Sequence, residues 1–287
     1  MKHAYLYRRL TLLFLLFLSN SIQSANIIFD LGDVLIETKY LQSVLNIGPI
    51  KMFSYAFTLQ NPFSIHKKLF DFLDSIEPRK PQDLKVTDHH GHLLPPLMCD
   101  WLKGTLSYQK LLTIIDQNLN KISNYPERIL VQALAQTIFT PSCFATTRYI
   151  VPEGMEFVKE CKEAGHNVYI LSNWDPDSFT ELQVMYPEFF NLFDGIIISG
   201  DVHLLKPDPA IYHYLVHRYN LSAKDCIFID DLAQNVKTAQ SIGMKGIVYR
   251  KKRGLLFSVP GFDDLRDQIN SIEQSKNSPM LINNEWY

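Results

Sequence analysis

The sequence predicts an α/β protein: a doubly wound, Rossmann-like parallel sheet with an inserted α-helical cap domain. Two observations predict it. From residue 150 onward, short apolar runs alternate with segments whose apolar residues recur at helical spacing, the pattern of parallel strands covered by helices on both faces. One further apolar run, NIIF at 26–29, stands more than a hundred residues upstream, and the stretch between carries helical patterns but no convincing strand.

Residues 1–25 read as a signal peptide: Lys2, Arg8 and Arg9 precede the apolar stretch Leu10–Leu18, and small or polar residues (Ser19, Asn20, Ser21, Ser24, Ala25) follow. Spanning a bilayer takes about 20 apolar residues. The shorter stretch therefore predicts a protein exported to the periplasm or the medium, cleaved near Ser24 or Ala25, with no stable membrane insertion afterwards. Residues 26–38 supply the first core strand. Residues 39–147 form the expected cap, in which DWLKGTLSYQKLLTIIDQNL (100–119) is the clearest helical portion. The rest of the core occupies 148–270. There EGMEFVKECKEA (153–164) places Met155, Phe157, Val158 and Cys161 at helical spacing, and Gly165 stops the helix. HNVYILSN (166–173) is a buried strand, and Asp175 with Pro176 opens a helix. DGIIIS (194–199) is a strand and KPDPAIYHYLVHRY (206–219) a helix. DCIFIDD (225–231) is a strand ending on paired acids, LAQNVKTAQSIG (232–243) a helix, and GIVYR (246–250) the last strand. Residues 271–287 read as a loose tail.

Composition narrows the partners. A net charge of −2 with 20% charged residues gives no electrostatic footing for nucleic acid. The basic run Arg250-Lys251-Lys252-Arg253 reads as a solvated strand end. Four cysteines are too few for a disulfide framework. Cys161 and Cys226 read as small core residues, whereas Cys99 and Cys143 are open to pairing in an oxidising compartment. DHHGH (88–92) puts three histidines and an acid in a polar turn before Pro95-Pro96. That turn is open between a transition-metal site, for which the ligand spacing is irregular, and a substrate-facing cap loop. Trp174 reads as packing or pocket floor, His203 as a loop residue, and Asn220-Leu221-Ser222 as a chance match to a glycosylation acceptor. No feature sets an oligomeric state.

Ligands of open parallel sheets sit beyond the carboxyl ends of the strands. The polar residues that end the apolar runs are therefore candidates for one shared site: Asp30, Ser172 with Asn173, and Asp230 with Asp231. Lys206 stands just before a helix. A carboxylate can attack a phosphoryl group to give an aspartyl phosphate. A hard divalent cation on oxygen ligands cancels the repulsion between anionic nucleophile and anionic phosphate, and a lysine and a hydroxyl can hold the equatorial oxygens.

In chain order, FDLGDV (29–34), YILSN (169–173), KPDPAIY (206–212) and FIDD (228–231) resemble the four motifs of the haloacid dehalogenase-like superfamily. The likeness covers residues 27–39 and about 148–250. The insertion resembles that family's helical cap, and LKGTLSYQKLL (102–112) a helix start found in many such caps. The resemblance implies a Mg²⁺-dependent phosphatase acting on a small phosphorylated substrate. It implies Asp30 as nucleophile and metal ligand, a metal-facing backbone carbonyl at Gly32, and phosphate binding by Ser172 and Asn173. It further implies Lys206 paired with nucleophile and phosphate, Asp231 as a direct metal ligand and Asp230 as one acting through water. One position departs. The family's hydrolases usually carry Asp two places after the nucleophile, as general acid and base, and here that place is Gly32. General acid–base help is typically worth about 10²–10⁴ in rate, and whether Asp33 or another group supplies it is open. Two other readings stand: a metal-free 2-haloacid dehalogenase, a branch that typically has Tyr at the place of Gly32, and a weakly active or non-catalytic exported binding protein that keeps the phosphate pocket.

Overall fold

The computed structural model describes residues 24–56, 65–253, 258–259 and 261–277. The basic and apolar parts of the expected signal peptide lie outside the described residues. Among the described residues, no helix is long and apolar enough to cross a membrane.

The strands that position the site are β1 (Asn26–Phe29), β2 (Ile36–Thr38), β3 (Arg148–Ile150), β4 (Asn167–Ser172), β5 (Gly195–Ile198), β6 (Cys226–Asp230) and β7 (Lys245–Val248). Five of them form one sheet in the order β5-β4-β1-β6-β7, every neighbouring pair parallel. Side chains alternate across the central β1, so it is buried on both faces. Ile27 and Phe29 enter a core with Phe157, Val158 and Leu265, from helices Pro152–Glu163 and Phe262–Asn277. Ile28 enters a second core with Tyr212, Leu215 and Val236, from helices Pro209–Arg218 and Ala233–Ser241. Helices on both faces make the doubly wound fold and explain why these strands read as unbroken apolar runs.

Register places the acids. Phe29 lies opposite Ile170 of β4 and Ile229 of β6. One residue further, Asp30 comes beside Asp230, on strands that run about 4.8 Å apart.

The cap folds around a core of its own. Leu69 and Leu73 from helix Ile65–Ile76, Trp101 from Pro96–Leu102, Leu111 and Ile115 from Tyr108–Asn118, and Leu130 and Phe139 from Tyr125–Phe139 pack together. Three expectations need correction. The 100–119 segment is two helices, because Lys103–Leu106 leave helical geometry and Ser107 caps a new helix by accepting the Lys110 N–H at 3.4 Å. The last helix runs on to Asn277, with Ile272 packed against the core, so residues 271–277 are not a loose tail. Between the first strand and the cap there is also a separate pairing: β2 runs antiparallel to β3, Ile36 opposite Ile150 and Thr38 opposite Arg148. Strands of three residues are too short to show a period, so the sequence reading merges β2 with β1 and misses β3.

Cap and core meet at a two-stranded hinge, at a seam around Leu102–Gly104, and at the turn that carries Thr87 and His89. At the hinge the Arg148 guanidinium bonds Thr38 and lies 4.0 Å over the Phe144 ring. At the seam the Ser199 hydroxyl donates to the Leu102 carbonyl at 2.6 Å, and His203 Nδ1 lies 2.7 Å from the Lys103 carbonyl. Gly104 has φ +68°, and a Cβ there would sit 2.5 Å from the Gly200 carbonyl oxygen. Only glycine meets both demands. Gly104→Ala is expected to cost roughly 1–2 kcal/mol from its left-handed backbone alone and to lift the cap from its seat. A lowered Tm and a raised KM, measured on the same preparation, check this.

Candidate active site

Asp30 continues the central strand by one residue, its N–H donating to the Ile229 carbonyl at 2.9 Å. Its buried carboxylate is held from one side. The Leu31 N–H at 2.7 Å, the Ser172 hydroxyl at 2.7 Å and the Lys206 ammonium at 2.9 Å all reach Oδ1. Among the described residues, Oδ2 has no donor. Ser172 therefore sits where the sequence places it, at the end of β4, and its hydroxyl holds the nucleophile candidate.

Lys206 lies on the loop between β5 and helix Pro209–Arg218, just ahead of a cis peptide bond to Pro207. Its ammonium is 2.9 Å from Asp30 Oδ1 and 2.7 Å from Asp230 Oδ2, and only 1% of the residue is exposed. The backbone beneath it is fixed by Asn173, whose Nδ2 donates to the Lys206 carbonyl at 2.9 Å while its Oδ1 accepts the Lys206 N–H at 2.8 Å. The amide of Asn173 thus positions the lysine beneath the site. Asp230 is wholly buried. It accepts the Leu232 N–H at 2.8 Å and takes Asn235 Nδ2 on both oxygens, at 3.0 and 3.1 Å. Asn235 is a site residue that sequence reasoning missed. The available signal was a polar residue on the inward face of the helix that follows the paired acids.

Asp30, Asp230 and Asp231 bring carboxylate oxygens within 4.8 Å of one another. One ammonium faces three carboxylates, and the imbalance shows at Asp30 and Asp231. Burial pushes Asp30 up to about 6 against the pull of Lys206. Burial, with the charges of Asp30 and Asp230, pushes Asp231 up to about 8. Burial also works against the Lys206 charge, but Asp230 and Asp30 outweigh it and hold that pKa above its ordinary value. Surplus negative charge carried on hard oxygen donors is the donor set that a divalent cation such as Mg²⁺ takes.

Two further positions bear on the chemistry. A Cβ built on Gly32 meets nothing within 4 Å, so the place of the usual acid is open space. Asp33 adopts a left-handed conformation, φ +57°, and turns its carboxylate to Lys251 at 3.1 Å and His89 at 3.5 Å. Lys251 also pairs with Glu37 at 3.0 Å. Asp33 is a brace, and Lys251 is more than a solvated strand end. In the cap, Cys99 and Cys143 are free thiols. Trp174 is buried, its Nε1 donating to Ser178 Oγ at 2.9 Å, which makes it a packing residue.

The family model for haloacid dehalogenase-like hydrolases matches residues 25–243. A sesquiterpene phosphatase of Aspergillus oryzae is 37% identical over 90 residues, covering 31% of this chain and 45% of that protein. Bifunctional epoxide hydrolase 2 of Mus musculus is 28% identical over 155 residues, covering 51% of this chain and 27% of that protein. The chain thus spans less than half the length of either relative. Among solved structures, a haloacid dehalogenase family enzyme of Bacteroides thetaiotaomicron, in complex with magnesium and inorganic phosphate, has a TM-score of 0.54 at 17% identity. That alignment covers 81% of this chain and 96% of the other, and at such identity it shows the shared fold. The family match runs from the first residues of the central strand to the glycine that ends helix Ala233–Ser241, and the chain belongs to the haloacid dehalogenase-like hydrolases.

Proposed function

We propose that the protein is a Mg²⁺-dependent phosphatase that hydrolyses a small organic phosphate monoester through an aspartyl phosphate on Asp30. The observation that carries this reading is the asymmetry of the Asp30 carboxylate: among the described residues three donors hold Oδ1 and none reaches Oδ2, at the strand ends where two more carboxylates converge. The phosphatase among the relatives supports the same choice, as does the Bacteroides complex with magnesium and inorganic phosphate. Surplus negative charge around the nucleophile argues against metal-free dehalogenation, because a haloacid brings its own carboxylate.

In this reading Asp30 Oδ2 attacks phosphorus, the ester P–O bond breaks, and the leaving oxygen takes a proton. Water then attacks the phosphorus of the acyl phosphate and gives up a proton. The bond to Asp30 breaks, releasing inorganic phosphate and restoring the carboxylate. Lys206 offsets charge on the nucleophile and the bound phosphate, and the Ser172 hydroxyl orients Asp30. Asn173 and Asn235 keep Lys206 and Asp230 in place. Asp30, Asp230 and Asp231, with the Gly32 carbonyl, would hold Mg²⁺, which when bound supplies charge neutralisation for the transferring phosphoryl group. The open place at Gly32 leaves proton transfer to solvent, so slow turnover of poor leaving groups is expected. The basic-apolar-small order of residues 1–25 supports an exported enzyme. Asn167 donates to the Ala25 carbonyl at 3.1 Å, so cleavage after Ser24 would leave the sheet whole; the mass of the mature protein tests this.

Asp30→Asn is expected to lower kcat on a generic phosphate ester with Mg²⁺ by about 10⁴-fold or more; a wild-type protein equally inert across an ester panel would leave only phosphate binding. Gly32→Asp should speed hydrolysis of poor leaving groups by about 10²-fold or more, with little gain for good ones. An unchanged rate for both, in a folded variant, would mean that another group already delivers the proton. The acids also make metal binding pH-dependent. The raised pKa values of Asp30 and Asp231 mean the metal-free folded chain keeps protons that the unfolded chain releases, so these two groups lower stability as pH rises from about 4 through about 8. Mg²⁺ should relieve this, and its gain in Tm should be larger above pH 8 than at pH 6. A gain independent of pH, or one retained in Asp231→Asn, would contradict the aspartate site.

A further inference from the structure

Four of the nine histidines in the chain gather at one edge of the cap. His89, His90 and His92 belong to the Asp88–His92 turn, and His66 reaches them from helix Ile65–Ile76. The rings of His66, His90 and His92 form a triangle with centres 5.8, 5.5 and 6.0 Å apart. In a tetrahedral site, with nitrogens about 2.0–2.1 Å from the ion, ring centres lie roughly 5 Å apart. As the rings stand, their nitrogens do not all lie within 4.8 Å of one another, so holding one ion requires the rings to turn.

The turn that carries two of these rings is built to hold them. Asp88 Oδ1 accepts the N–H groups of His90 at 2.9 Å and His92 at 2.8 Å, and the Asp88 N–H donates to the His92 carbonyl at 2.9 Å. Gly91 supplies the left-handed residue, φ +82°, that closes the turn. Asp88 Oδ2 stands 3.2 Å from His92 Nδ1. A carboxylate on one imidazole nitrogen commits the other to a metal and makes it a stronger donor. His89 stacks on His90, ring centres 3.9 Å apart, and turns its Nδ1 to Asp33 of the core at 3.5 Å.

We propose that His66, His90 and His92 form a second metal site, for a borderline transition ion of the Zn²⁺ class, separate from the aspartate site. Three imidazoles favour such an ion over Mg²⁺ or Ca²⁺, which prefer oxygen. With His92 44% exposed at its side chain, the ion enters from solvent. Its effect is mechanical. It ties the turn to helix Ile65–Ile76 at the place where the cap meets the core, through His89 with Asp33 and through Gln234 Nε2 donating to Thr87 Oγ1 at 2.7 Å.

The test is titration of the full chain with Zn²⁺ in saturating Mg²⁺, followed by calorimetry. One Zn²⁺ per chain is expected, with affinity falling at least tenfold in each of His66→Gln, His90→Gln and His92→Gln, and about 10–100-fold in Asp88→Asn. Co²⁺ added to the wild-type chain should give the visible bands of a four-coordinate ion, a readout that needs no variant to fold. The proposal is overturned if wild-type protein binds no Zn²⁺ at micromolar concentration. It is equally overturned if binding survives all three histidine substitutions and is lost in Asp231→Asn.

Discussion

The site depends on one buried cation. Parallel pairing of the central strands sets Asp30 and Asp230 side by side at the end of the sheet, and both are removed from water. Two such carboxylates without a partner would be strongly destabilising, since losing one member of a buried ion pair costs several kcal/mol. The Lys206 ammonium answers both at once, at 2.9 and 2.7 Å. Other polar side chains around the site serve this triad: Asn173 fixes the lysine backbone, Asn235 grips Asp230, and Ser172 holds Asp30. One lysine cannot balance a third acid, Asp231. The remaining charge makes the pocket receptive to a cation, so the requirement of the fold and the chemistry of the site come from the same imbalance.

Cap and core have separate apolar clusters. The core presents the reacting groups on rigid strand ends. The cap is carried on the short β2–β3 hinge and rests on the core where Gly104 meets Gly200. In the proposed phosphatase the strand ends would treat any phosphate alike, so what distinguishes one substrate from another would come from the cap side. The ion pair of Asp33 with His89 crosses between the two bodies close to Asp30, while Lys251 holds Asp33 from within the core. The His89 pair gives the cap a direct hold on the loop that carries Asp30.

The FDLGDV segment shows how a one-residue offset changes a role. The usual acid stands two places after the nucleophile, where this chain has glycine and open space. The acid three places on occupies a left-handed turn that hands its carboxylate to Lys251. Composition at the two positions is nearly that of an ordinary hydrolase motif, yet the turn converts a possible proton donor into a brace.

What the sequence determined by itself was the sheet, the helices on its faces, the existence of a cap and the positions of the strand-end acids. Each follows from local pattern: apolar runs of strand length, helical periodicity, glycine stops and proline starts. The ordered motifs also named Asp30, Ser172, Lys206, Asp230 and Asp231, since residues that end parallel strands converge whatever the intervening chain does. Tertiary structure alone decided the rest. That Asn173 holds a lysine backbone 33 residues away, that Asn235 braces Asp230, that Asp33 turns to Lys251, and that His66 joins a distant histidine turn are all facts of rotamer and loop path. Periodicity records which face a residue occupies, but not which partner, far along the chain, that face will meet.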